Sequence, residues 1–122
     1  MSTERLIQLN RVELRGNVGS VHRTKTGDIE TIRFSLVTNY VYKAKDGNPV
    51  IETTWHNIVA WQGRNMPDLG RLDKGIGVYL TGRIRSSKYT AADGSEKTGF
   101  EIIASEIEIL DGRESLNAQC NI

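Results

Sequence analysis

The residues with most chemistry to offer lie in Thr53-Thr54-Trp55-His56-Asn57-Ile58-Val59-Ala60-Trp61, a β-patterned run that holds both tryptophans of the chain. Side chains alternate between the faces of a strand. Trp55, Asn57, Val59 and Trp61 therefore share one face, and Thr54, His56, Ile58 and Ala60 the other. A face with two indoles either packs into a core, as large aromatic residues commonly do, or offers rings to a flat ligand. Cations accompany them. Arg11, Arg15, Arg23, Lys25, Arg33, Lys43, Lys45, Arg83, Arg85 and Lys88 cluster around strand-like segments, whereas Glu101, Glu106, Glu108, Asp111 and Glu114 concentrate near the end. With a net charge of only +1, this asymmetry would make one basic surface on a nearly neutral molecule, unless the charges are simply scattered and solvated.

Covalent and metal chemistry find no comparable foothold. The chain has no glycine-rich Walker motif, paired cysteines, His-Glu-x-x-His or nucleophile elbow, and Gly16-Asn17-Val18-Gly19 is too short for a phosphate loop. No cofactor and no catalytic residue is expected. Cys120 is the single cysteine, which leaves no internal disulfide and suits a reducing compartment. His56 lies opposite Trp55 with no acidic or cysteine cluster beside it, so a structural hydrogen bond suits it better than a ligand or base. His22 falls in a loop on this reading.

The elements that must carry these residues are strands. Residues 9–21 read as a long strand with Gly16 and Gly19 inside it, and interior strand glycines mark a bend or bulge. Thr26-Gly27-Asp28 turns the chain into a second strand with Ile32, Phe34 and Leu36 alternating. Lys45-Asp46-Gly47-Asn48-Pro49 makes residues 40–53 a long hairpin loop, flanked by Tyr40 and Tyr42, that leads to the tryptophan strand. Met66, Leu69 and Leu72 recur at three-residue spacing, which predicts one short helix over 64–73 with Pro67 in its first turn. Residues 76–86 resume the alternation with Gly82 inside, Ala91-Ala92-Asp93-Gly94-Ser95 is a hairpin tip, and 98–110 is the fifth strand.

Five strands with one short helix between the third and fourth match the five-stranded Greek-key OB-fold barrel, an all-β class. At 122 residues, 38% hydrophobic and 25% charged, the chain suits one folded domain. The expected division is an OB-fold domain over 1–112 and a short tail over 113–122. No apolar run is long enough for a transmembrane helix and no secretory signal is visible, so no membrane role and a cytoplasmic location are expected.

The blocks themselves resemble the bacterial single-stranded DNA-binding protein family. The resemblance is carried by Asn10-Arg11-Val12-Glu13-Leu14-Arg15-Gly16-Asn17-Val18-Gly19, by Ile32-Arg33-Phe34-Ser35-Leu36-Val37-Thr38-Asn39 and by Thr54-Trp55-His56-Asn57-Ile58-Val59-Ala60-Trp61-Gln62-Gly63. Leu72 to Arg85, Lys88-Tyr89-Thr90, Asp93-Gly94 and Phe100-Glu101-Ile102-Ile103-Ala104 complete it, in order and at matching spacing. It implies sequence-independent binding and protection of single-stranded DNA in replication, recombination and repair. The family's base-stacking positions correspond to Tyr42, Trp55, Trp61 and Tyr89. Two of these are tyrosines where tryptophan is often found, and Trp61 stands where phenylalanine is common.

Every base has a π-face, so such rings bind unpaired strands with little sequence preference. Arg11, Arg15, Arg33, Lys43, Lys45, Arg83, Arg85 and Lys88 would meet the phosphates between them. The resemblance also implies a subunit contact at His56, a homotetramer and a nucleoid-associated place in the cytoplasm. Family members commonly end in an acidic peptide with a terminal Pro-Phe. This sequence stops at Ala118-Gln119-Cys120-Asn121-Ile122, so no C-terminal acidic docking peptide is expected. The alternative function is a primosome-type OB-fold protein that mainly bridges replication proteins.

Overall fold

Alternating apolar residues become five long strands in a computed structural model that describes residues 8–110. They are β1 (Val12–Thr26), β2 (Ile29–Lys43), β3 (Pro49–Trp61), β4 (Gly77–Thr90) and β5 (Glu96–Leu110). The expected tail over 113–122, with Glu114 and Cys120, lies outside the described residues, as do residues 1–7 and Asp111.

The strands close into a barrel in the order β1-β2-β3-β5-β4. β1 serves two neighbours. Its first half, Val12 to Asn17, pairs with β4, and from Asn17 onward it pairs with β2. Changing partner bends the strand, and a bulge between Val18 and Val21 accompanies the bend. Closure comes from a short parallel contact, Ile58 with Ile102 and Val59 with Ile103, between β3 and β5. This is the all-β, Greek-key OB architecture expected from the strand count.

Inward-facing residues of each strand fill the barrel. Val18, Ile32, Phe34, Leu36, Ile58, Ala60, Val78, Leu80, Ile102, Ala104 and Ile107 form one buried cluster. Strands cross closely around so narrow an interior. A Cβ at Gly16 would stand 2.2 Å from the Val37 carbonyl oxygen, and one at Gly82 2.2 Å from that of Ile103. Backbone, not side chain, occupies the space, so these glycines are conditions of closure.

The short helix expected over 64–73 is a single 3-10 turn, Leu69–Arg71. Pro67 and Gly70 both weaken a helix, and ten residues are too few to stabilise one by propensity alone. Side chains hold the segment instead. Gln62 Nε2 donates to the Pro67 carbonyl at 2.7 Å, the Leu69 amide donates to Gln62 Oε1 at 3.0 Å, and Asp68 caps the turn through the Gly70 amide at 2.9 Å. The three-residue spacing does have a use: Leu69 and Leu72 are buried in the cluster, and Met66 packs against it. Arg23, read as part of the basic surface, reaches this plug, and its Nη2 donates to the Leu69 and Leu72 carbonyls at 3.0 Å each.

Two further expectations change. The loop placed over 40–53 is mostly strand, because β2 and β3 stay in unbroken register from Thr31 and Trp61 to Lys43 and Pro49, leaving only 44–48 as the turn. β1 runs to Thr26, five residues beyond the end read from the sequence, so His22 is a strand residue facing Arg33 of β2.

Candidate nucleic-acid interface

Trp55, Asn57, Val59 and Trp61 lie on the outer face of β3, because His56, Ile58 and Ala60 take the inward parity with Leu36, Phe34 and Ile32 as partners. The same register gives β2 an outer row of Thr31, Arg33, Ser35 and Val37, opposite Trp61, Val59, Asn57 and Trp55. Beside it, β1 contributes Ser20 and His22. Two indoles thus bracket a polar and cationic stretch about 20 Å long, taking ~3.3 Å of rise per residue.

A groove of about 440 Å³ crosses this face. Its floor is Ser20, His22, Arg33, Ser35, Asn57 and Val59, and its other wall is the β4–β5 hairpin arm, through Ser87, Tyr89, Gly99, Phe100 and Glu101. Tyr89 is 53% exposed and Trp55 61%, rings far more open than core packing allows. Trp61 is half-buried. Its Nε1–H donates to Thr31 Oγ1 at 2.9 Å, which fixes the indole across β2 beyond the far side of Val59. Asn57, Phe100 and Glu101 also border a second, mostly apolar hollow of about 340 Å³ that includes Trp55, His56, Ile84 and Ile102. Trp55 and Tyr89 therefore border one continuous surface.

The structure does not bring Tyr42 to this face. Its parity on β2 is opposite to that of Arg33, and its ring stacks on Tyr40 with centroids 6.1 Å apart and planes 29° apart. Both rings ride the β2–β3 hairpin beyond the barrel.

The cations divide into groups. Arg33 is exposed on the groove floor. Arg85, on the arm, is committed to Glu101: its Nε donates to Oε1 at 3.1 Å and its Nη2 to the same oxygen, and the Glu101 side chain is mostly buried. Lys88 meets Glu96 at 3.6 Å, both exposed, a pair that constrains neither in water. Lys43 ends β2 on the parity of Arg33, and Lys45 sits in the turn. Arg11 and Arg83 line a separate hollow with Thr81, Ser105 and Glu106 on the β1–β4–β5 side. Arg15 lies over the Tyr79 ring, 5.8 Å from its centroid. The Tyr79 hydroxyl donates to Glu13 Oε2 at 2.5 Å, a bond that raises the phenol's pKa.

Asn10, part of the opening block, has a structural use. Its amide donates to the Ile84 carbonyl at 2.7 Å and accepts from the Ile84 amide at 2.9 Å, continuing the β1–β4 ladder with a side chain. His56 Nε2 lies 2.9 Å from Thr38 Oγ1, and burial pushes the imidazole's pKa down. Among the described residues no group of His, Cys, Asp and Glu could hold a metal ion, and no helix is long and apolar enough to cross a membrane.

Reasoning from sequence missed Ser20, His22, Asn57 and Phe100 as lining residues. Strand alternation already put Asn57 on the tryptophan face. His22 and Ser20 needed the bulge, whose extra residue alters the parity of β1. Phe100 carries no signal of exposure, since an aromatic residue leading an apolar strand reads as core.

A closed barrel whose outer β1–β2–β3 face carries a groove of rings and a cation, walled by the β4–β5 arm, is an OB-fold binding protein. The chain belongs to the single-strand binding protein family, whose model matches residues 9–110. It is similar to the single-stranded DNA-binding protein of Neisseria meningitidis serogroup B, 37% identical over 112 residues that cover 88% of this chain and 63% of that protein. The single-stranded DNA-binding protein 1 of Xylella fastidiosa is 30% identical over 115 residues, 92% of this chain and 85% of that one. Among solved structures, the Plasmodium falciparum SSB in complex with ssDNA superposes with a TM-score of 0.75 at 28% identity, covering 91% of this chain and all of that chain. The chain spans somewhat less than two thirds of the length of the Neisseria relative.

Proposed function

We propose that this chain binds single-stranded DNA with little regard to sequence and protects it during replication, recombination and repair. The observation that carries this reading is the placement of exposed Tyr89 on a groove with Arg33 on its floor, next to exposed Trp55 on the hollow that shares Asn57, Phe100 and Glu101 with that groove. Open π-faces suit unpaired bases, which duplex DNA hides in its stack, and the guanidinium suits the phosphate between them. Relatives named for single-stranded DNA binding, and a solved structure in complex with ssDNA, support it.

In this reading Trp55, Trp61 and Tyr89 are the stacking platforms. Tyr42 joins them only if the strand continues around the β2–β3 hairpin. Arg33, Lys43, Lys45 and Lys88 meet phosphates on the groove side, Arg11, Arg15 and Arg83 meet them on the β1–β4 side, and Arg85 contributes least because Glu101 offsets its charge. The chain acts by binding, without catalysis, as a homotetramer with His56 near a subunit contact, and a cytoplasmic, nucleoid-associated location goes with that role.

Equilibrium competition tests it. A labelled oligo-dT bound to the protein is expected to be displaced by unlabelled single strands of any sequence and not by duplex of the same length. Displacement by duplex at similar concentration would refute the reading.

A further inference from the structure

Gly19 differs from Gly16 and Gly82 in what fills the space beside it, and an added Cβ there meets a ring more closely than at Gly99, where the nearest atom is Tyr89 Cε1 at 3.3 Å. At Gly16 and Gly82 the nearest atom to an added Cβ is a backbone oxygen of a neighbouring strand, whereas at Gly19 the nearest atoms are side-chain atoms of Ser35 and Trp55. The Cβ would lie 2.5 Å from Ser35 Oγ, 2.6 Å from Trp55 Cζ3 and 3.4 Å from Trp55 Cη2. The outer benzo edge of the indole thus rests across β1 at the residue that has no side chain. Gly19 also lies in the bulge between Val18 and Val21, whose extra residue sits opposite Ser35.

Conformation does not demand glycine here. Among the described residues the glycines with positive φ are Gly27, Gly47, Gly75 and Gly94, so an alanine at 19 meets no backbone penalty of that kind. What it meets are two side-chain ends: the Ser35 hydroxyl, which accepts from the Ser20 amide at 2.9 Å and turns on a single torsion, and the rim of a large, exposed ring that can swing aside into solvent. Both neighbours are side-chain ends rather than backbone, so resistance from the fold and resistance from the ring can be separated by substitution.

We propose that Gly19 is a positioning residue for Trp55: its missing side chain seats the indole against β1 and leaves the opposite ring face open to a base. This deepens the proposed single-strand binding and rests on that reading. A seated ring has already lost its rotamer freedom, so less is lost when a base stacks on it. With a methyl group at 19 the ring stands off the sheet and stacks from the wrong angle.

The test is a double-mutant cycle of Gly19→Ala with Trp55→Ala and Trp55→Phe, read by poly-dT affinity. Trp55→Ala is expected to weaken binding about 5- to 150-fold, the equivalent of one lost stack. Gly19→Ala is expected to weaken it at least several-fold, by no more than Trp55→Ala does, and to add nothing in the Trp55→Ala protein. Phenylalanine lacks Cζ3 and Cη2, so Gly19→Ala with Trp55→Phe is expected to bind as Trp55→Phe alone. In a Trp61→Phe background, where Trp55 is the remaining tryptophan, Gly19→Ala is expected to change the near-ultraviolet circular dichroism of the DNA-free protein. Loss of binding on Gly19→Ala that persists undiminished without the indole would overturn the proposal, as would unchanged binding and unchanged dichroism. If Gly19→Ala does not fold, recovery of folding with Trp55→Phe supports the clash with the ring, whereas recovery with Ser35→Ala but not with Trp55→Phe, or recovery with neither, overturns it. Unchanged affinity of Trp55→Ala would instead refute stacking at Trp55 itself, and the positioning role with it, whereas weak Trp55→Ala binding beside unchanged Gly19→Ala binding defeats the positioning role alone.

Discussion

Each aromatic and basic residue around the groove acquires its capacity from what its neighbours leave free. Tyr89 is open to solvent on the arm, and Trp61 is tethered by Thr31, so the two rings differ in what substitution costs. Replacing Tyr89 with Ala is expected to weaken poly-dT binding by about 1–3 kcal/mol with folding retained. A folded variant of unchanged affinity would make that ring a packing element. Charge follows the same logic. Arg33 has no acidic partner among the described ion pairs, whereas Arg85 is bound to Glu101. Arg33→Ala is therefore expected to lower the slope of log affinity against log salt by about one, and Arg85→Ala by clearly less. Equal changes in the two slopes would show that the Glu101 pair opens when DNA binds.

The elements set these residues in place, and the 3-10 plug shows how. Leu69 and Leu72 close one end of the barrel, and Arg23 ties their carbonyls to β1. Leu72→Ala is expected to destabilise the fold by about 2–5 kcal/mol, measured by urea denaturation. Arg23→Ala is expected to cost less, about 1–3 kcal/mol, because its bonds are only partly shielded from water, and to leave the salt slope of DNA binding in place. A lost salt slope would return Arg23 to the phosphate surface. Much of this layer was legible in the sequence: the alternation over Ile32 to Leu36 and Gly77 to Leu80, the turn at Thr26-Gly27-Asp28 and the tip at 91–95 all became strands and hairpins where expected. The spacing of Met66, Leu69 and Leu72 was also real, but period alone does not distinguish a helix from an irregular segment that drops leucines into a hole, and Pro67 and Gly70 favoured the latter. The extended β2–β3 hairpin was hidden because Tyr40 to Lys43 and Val50 to Thr53 form a ribbon without a core beneath it, so burial leaves no alternation to read. The face carrying the tryptophans was legible from parity. Its opposite wall, Tyr89 with Phe100, depends on how the arm curls over the sheet, which no local pattern records.

The whole molecule adds pH and assembly. Burial holds the His56 imidazole below its usual pKa of 6.5, so on acidification the unfolded chain takes up a proton that the folded chain resists. The stability associated with neutral His56 is complete above 6.5 and is lost as pH falls from there toward the folded pKa. The thermal midpoint of the protein is expected to drop more between about pH 7.5 and about pH 5.5 than that of His56→Gln, and parallel curves would contradict it. Sedimentation equilibrium is expected to give a tetramer, while a stable dimer with weak DNA affinity would favour a protein that bridges replication partners. The central claim, that exposed rings around the groove stack on unpaired bases, is tested most directly by tryptophan fluorescence during titration with poly-dT, alongside duplex DNA and RNA of equal length. Strong quenching that saturates with poly-dT, weakens steeply as salt rises and is largely absent with duplex is the expected result. Equal quenching by duplex, or binding of poly-dT with no change in tryptophan emission, would contradict it.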